Sequence, residues 1–153
     1  MKLVLATDPF AQELKDHLAQ YLSHRGIELV MIPEEKNLPY YETAVIAAQM
    51  IQRGEAEGGI LLCGTGAGMN IVANKFAGIT AVCVESVFAA SRAKAINRAN
   101  VLTMGAMIVG KEMACAMADA WIDTKPNEGL EGIADFLNQA AEDVRRIDEK
   151  LRK

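Results

Sequence analysis

Cys63 ends the apolar run Ile60-Leu61-Leu62, and glycines follow at alternate positions: Gly64, Gly66 and Gly68, with Thr65 between the first two. A thiol at the carboxyl end of a buried strand lies where open α/β sheets bind ligands. Backbone amides in a glycine-rich turn form a concavity that holds anions, and a helix N-terminus is a recognised setting for a reactive cysteine. The segment therefore offers a proton-transfer group beside a place for developing negative charge, the pairing that removal of a C–H proton requires. Thr65 could donate to that oxyanion or orient the thiol. Each residue also has a plainer reading. The glycines could form a tight turn packing helix on strand, Cys63 could be a small buried hydrophobe, and Thr65 could cap the next helix. The glycines do not complete a familiar phosphate loop. A dinucleotide fingerprint needs glycine where Met69 stands, and the Gly-Lys-Ser/Thr of a P-loop is absent. A Cys-x5-Arg loop would need arginine at position 69.

Other polar residues sit where strands and helices meet. Asp8, in Thr7-Asp8-Pro9, ends the first apolar run. It can bind ligand hydroxyls, or cap a helix that has Pro9 at its first position. Asn97, Arg98 and Asn100 precede the last apolar run, and two amides with a guanidinium suit a polyhydroxylated anionic ligand. The alternative is C-capping by asparagine beside a solvated arginine. Cys83 and Cys115 read as core, as do Met104, Met107, Met113 and Met117. His24 reads as a surface residue complementing a helix dipole.

These residues need a scaffold. Lys2–Ala6, Ile27–Ile32, Gly59–Cys63, Thr80–Val84 and Val101–Met104 read as strands, nearly continuous in apolarity as a sheet covered on both faces requires. Between and after them, Gln12–His24, Tyr41–Arg53, Gly68–Phe76, Val87–Asn97 and Gly110–Asp123 carry helical spacing. The alternation predicts a three-layer, doubly wound, parallel five-stranded α/β sheet of the Rossmann-like kind. Residues 130–151 predict one long amphipathic helix with Ile133, Phe136, Leu137, Ala140, Val144 and Ile147 on one stripe. It has no sheet partner after it, so it packs on its own domain or bridges to a second subunit. The most polar loop is Pro33 to Pro39.

At 153 residues, with 51% hydrophobic and 24% charged residues, the chain suits one globular domain, expected to span 1–153. A formal charge of -4 and 5% aromatic residues argue against nucleic acid as a partner. No apolar run reaches membrane-spanning length, and the first residues run into a strand pattern rather than a signal peptide. Three cysteines without tight spacing fit reduced thiols in the cytoplasm. With two histidines there is no zinc-like cluster.

With Cys63-Gly-Thr-Gly-Ala-Gly-Met, Ala73-Asn-Lys and Asn97-Arg-Ala-Asn-Val-Leu-Thr-Met-Gly, the chain resembles the RpiB/LacA/LacB sugar-phosphate isomerases over nearly its whole length. Asp8, Glu13-Leu-Lys and Arg53-Gly-Glu-Ala-Glu-Gly-Gly-Ile-Leu-Leu-Cys add to the match. The resemblance implies an aldose–ketose isomerase without metal or other cofactor that works through an enediolate on a small sugar or sugar phosphate. Cys63 would be the base and Thr65 its assistant. Gly64, Gly66 and Gly68 would hold the enediolate oxygen, and Asp8, Asn97 and Asn100 would bind sugar hydroxyls. It also implies a homodimer with sites between subunits, or a dimer of dimers, while some relatives pair two different chains.

Three departures qualify that picture. Pro9 follows the aspartate, Ile96 stands where the family has the histidine that opens the sugar ring, and Asn127–Asp135 lacks the family's phosphate-gripping arginines. Isoleucine cannot transfer a proton, but a four-carbon sugar phosphate cannot close a normal ring and needs no such histidine. Loss of the arginines favours a non-phosphorylated sugar or a sugar acid, with Arg98 pairing its anionic end; Arg98 and Arg92 are the cations left for a phosphate. A third reading is a silent sugar-binding or partner subunit, against which Cys63 and Thr65 speak.

Overall fold

The computed structural model describes residues 1–33 and 37–152. Glu34, Glu35 and Lys36, the centre of the expected polar loop, lie outside the described residues. Five parallel strands form one sheet in the order β2-β1-β3-β5-β4. They are β1 (Lys2–Thr7), β2 (Glu28–Met31), β3 (Gly58–Cys63), β4 (Ala81–Cys83) and β5 (Val101–Gly105). The helices are α1 (Gln12–His24), α2 (Tyr40–Gln52), α3 (Ala67–Ala73), α4 (Val87–Ala95), α5 (Lys111–Asp123) and α6 (Ala134–Leu151), with short 3-10 turns at Pro9–Ala11 and Glu131–Ile133.

Side-chain alternation along the strands splits the core in two. Leu3 and Leu5, Ile60 and Leu62, and Leu102 and Met104 face α1, α4 and α5, with Leu14, Leu18, Met117 and Trp121. Val4, Ala6, Leu61, Cys63 and Val101 face α2 and α3, with Ala44, Ala47, Met69 and Ala73. Every residue of β3 is buried, because β1 and β5 flank it and helices cover both faces. This is why its sequence is uninterrupted apolar rather than alternating.

Local chemistry sets the element ends. Asp8 accepts from the Phe10 amide at 3.0 Å and caps the turn that Pro9 opens. Gly26, at φ +80°, ends α1 as the Ile27 amide reaches the Leu22 carbonyl. The helix expected to run to Phe76 stops at Ala73. There Asn74 turns to the sheet, accepting from Ala81 N and donating to the Ala81 carbonyl. The expected tail helix begins later, at Ala134, after a 3-10 turn. Only Leu137 of its apolar stripe is buried; Phe136, Val144, Ile147 and Leu151 are exposed.

Asn100 lies at the amino end of the sheet and braces it. Its Oδ1 accepts from Thr80 N and its Nδ2 donates to the Gly78 carbonyl, both at 2.8 Å. With both ends of the amide engaged, the expected substrate contact gives way to a structural one. Asn100→Ala should lower unfolding free energy by about 1–3 kcal/mol in urea titrations. A change below about 0.5 kcal/mol would show that water replaces both bonds.

Candidate active site

The chain leaves β1 for the β2 edge and leaves β3 for the β4 edge, so the carboxyl ends of these neighbours form a crevice. A cavity of about 360 Å³ opens there. Asp8 and Phe10 line it from the segment after β1, Cys63, Gly64 and Thr65 from the end of β3, and Tyr40, Gly68 and Met107 from α2, α3 and the segment after β5. Cys63 is 4% exposed, and its Sγ accepts from the Gly66 amide at 3.1 Å. Gly66 has φ +81°, and a Cβ there would meet Cys83 Sγ and the Met104 backbone at 2.9 Å. Only glycine lets the chain turn this tightly and return its amide to the sulfur. Thr65 is exposed and does not cap α3, whose N-cap is Gly66 without a side-chain bond.

Five further facts bear on the expected site. Asp8 lines this cavity and also a smaller one of about 40 Å³, with Lys15 and Thr43. Burial pushes its carboxyl above the ordinary range, against the pull of the Phe10 and Ala11 amides. Asn97 and Arg98 are not brought to Cys63 within one chain. They precede β5, whose far end pairs Gly105 with Cys63, a separation of roughly 16 Å along the strand. Arg98 has left-handed backbone, φ +54°, and ends α4 through Arg98 N to the Lys94 carbonyl and Ala99 N to the Ala93 carbonyl. So arginine, not asparagine, takes the conformation that usually favours glycine there.

The Arg98 guanidinium donates to Asn138 Oδ1, and Arg92 donates to the Glu128 carbonyl at 3.3 Å. Among the described residues neither has a carboxylate partner. Arg25, Arg53, Arg145, Arg146 and Arg152 all do. Among the described residues no basic side chain lines the cavity. Among the described residues no group of three or more His, Cys, Asp or Glu is placed to hold a metal ion.

Three lining residues escaped the sequence reading. Tyr40 and Phe10 stand just before the expected helices Tyr41–Arg53 and Gln12–His24, and Met107 read as core. Met107 is 74% exposed and Met113 is also exposed, correcting the core assignment; Met104 and Met117 are buried. Cys83, also read as core, is half-buried and directs its thiol to the Thr65 carbonyl at 3.7 Å. Their position after strand ends was the available signal.

The chain matches the model of the Ribose/Galactose Isomerase family over residues 3–144. It is 43% identical over 155 residues to a 4-deoxy-4-sulfo-D-erythrose isomerase of Clostridium sp. (strain MSTE9), covering 99% of this chain and 98% of that protein. It is 36% identical over 128 residues to a D-erythrulose-4-phosphate isomerase of Pectobacterium atrosepticum, covering 82% and 84%. The solved structure of Clostridium thermocellum ribose-5-phosphate isomerase B superposes with a TM-score of 0.88 at 28% identity, covering 99% of both chains. Fold and relatives define the class, an α/β isomerase of the aldose–ketose type. The chain belongs to the Ribose/Galactose Isomerase family.

The raised Asp8 carboxyl makes a signed prediction. A folded value above the unfolded one favours folding at low pH, an advantage lost as pH rises through the folded value. Asp8→Asn keeps the acceptor for Phe10 N and cannot ionise. Its urea midpoint should exceed that of the wild type at neutral pH, and the gap should close below about pH 4. A gap independent of pH would rule out the burial cost.

Proposed function

We propose that this chain interconverts a four-carbon aldose and its ketose through an enediolate, with Cys63 as the base. The preferred substrate carries a sulfonate on C4, as 4-deoxy-4-sulfo-D-erythrose does. The carrying observation is Cys63 Sγ, held by the Gly66 amide at the edge of the cavity, in a chain 43% identical to an isomerase of that sugar. Cys63 takes the proton from C2, and the electron pair moves toward O1. The amides of Gly64, Thr65 and the first turn of α3, which lack acceptors inside the helix, face the resulting charge. Thr65 passes the O2 proton to O1, and Cys63 returns its proton to C1, leaving the ketone at C2. Asp8 binds a sugar hydroxyl.

The sugar's length follows from what it lacks. A four-carbon aldose closes a five-membered ring only through O4, and a C4 sulfonate or phosphate ester removes that hydroxyl. Such a substrate is open-chain already, which suits Ile96. The erythrulose-phosphate isomerase among the relatives supports the same length and makes the phosphate analogue the second substrate to test. The reaction belongs in the cytoplasm, where the three free cysteines stay reduced.

The anion needs a cation, and among the described residues none lines the cavity. A second copy of the chain, seated by the exposed stripe of α6, would supply it. Its Arg98, assisted by Arg92 and Asn97, would pair the sulfonate of the neighbour's substrate.

Wild-type protein should exchange solvent deuterium into 4-deoxy-4-sulfo-D-erythrose at C2, and Cys63→Ala should lose this by at least about a thousandfold while keeping its fold. Exchange that survives in Cys63→Ala would refute the base. Arg98→Ala should mainly raise KM, by about tenfold or more. Mixing it with Cys63→Ala at low substrate should restore activity through hybrid dimers carrying one intact site; no restoration would show that each chain completes its own.

A further inference from the structure

Among the described residues that line the cavity, Tyr40 and Thr65 carry hydroxyls, and the mechanism above leaves that of Tyr40 unused. It is the first residue of α2, directly after Pro39. A Cβ at Gly68 would fall 2.6 Å from Tyr40 Cε2, 2.8 Å from Cδ2 and 3.1 Å from Cζ, so a side chain there would displace the ring. The ring lies against the bare backbone of Gly68, and the Tyr41 ring meets it edge-on, 5.4 Å away at 85°. The hydroxyl, one bond beyond Cζ, sits beside the first turn of α3. Among the described residues it has no hydrogen-bond partner. A phenol whose ring rests on Gly68 and whose hydroxyl has no partner among the described residues, in the same cavity as Cys63, is a donor placed in advance. A site that generates an oxyanion gains most from such a donor in the transition state.

We propose that Tyr40 is a catalytic residue whose hydroxyl donates a hydrogen bond to the enediolate oxygen, and that Gly68 is glycine in order to seat its ring. No proton changes owner in this contact; the phenol shares its hydrogen while Cys63 carries the proton from carbon. The inference rests on the enediolate reading of the same cavity. It adds a side-chain donor to the backbone amides and gives the third glycine of the loop a role other than presenting an amide.

The test compares wild type, Tyr40→Phe, Gly68→Ala and the double variant on 4-deoxy-4-sulfo-D-erythrose, with Cys63→Ala as control. Phenylalanine keeps the ring and its packing, so a purely structural role predicts wild-type kinetics. Loss of an oxyanion donor should lower kcat about a hundredfold, with KM within about twofold. Deuterium exchange at C2 should fall in parallel, since both pass through the enediolate. Gly68→Ala should show the same kcat defect by displacing the ring, and the double variant should be no worse than Gly68→Ala alone. Wild-type kcat in Tyr40→Phe overturns the proposal, and so does a raised KM at unchanged kcat, which would make the hydroxyl a ground-state contact. Cys63-dependent exchange in the wild type keeps the isomerase reading standing in either event. Its absence would remove that reading and the role of Tyr40 together.

Discussion

From β1 the chain crosses to one edge of the sheet, and from β3 it crosses toward the other, so no connection covers the point between them. Right-handed crossovers then place α1, α4 and α5 on one face and α2 and α3 on the opposite one. The crevice at the carboxyl ends of β1 and β3 is a consequence of strand order. Around it sit Asp8 as the first strand ends, Cys63 as the third ends, and the glycine loop between β3 and α3. Full burial of β3 makes Cys63 a fixed point, since a strand buried on both faces cannot shift register without exposing apolar side chains.

Around that point, close approach replaces long side chains. Gly66 brings its amide back to the sulfur, and Gly68 admits the Tyr40 ring. A larger residue at either position would push apart the elements that meet there. The cavity that results is apolar, hydroxylic and amide-lined, with Asp8 as the one charged residue among the described residues that line it. Arg98 instead sits at the opposite end of the sheet, in left-handed backbone, with an amide oxygen for a partner. A non-glycine residue in that conformation is strained, and strain of this kind clusters where function over-determines the backbone. Phe136, Val144 and Ile147 of α6 are exposed, and Arg92 and Arg98 donate to neutral oxygens, with no ion pair to either among the described residues.

Much of this was legible beforehand. The strands appeared as short runs of Val, Ile and Leu, the helices by their spacing, and the parallel sheet by their alternation. Cys63 and the glycines were visible because a thiol and three glycines after an apolar run are unusual in type and spacing. Asp8 showed both its roles, as cap and as cavity wall, since Asp-Pro after a strand suits either. Element ends were less legible. Helix α3 stops three residues early because Asn74 finds partners on Ala81, a contact between segments that no local pattern encodes.

By itself, the sequence determined the fold class and the strand that carries the thiol, because these depend on local periodicity and on residue types at short spacing, and its motifs carried the resemblance to the family. Tertiary structure alone decided which polar residues share a space. Tyr40, just before the expected helix, and Met107, which looked like core, joined the site, while Asn100, which looked like a ligand contact, braces Gly78 and Thr80. The physical reason is that a parallel sheet brings together strand ends far apart in sequence and separates the two ends of each strand by its whole length. Proximity in the site is thus set by strand order and direction, which the residues around any one position do not specify.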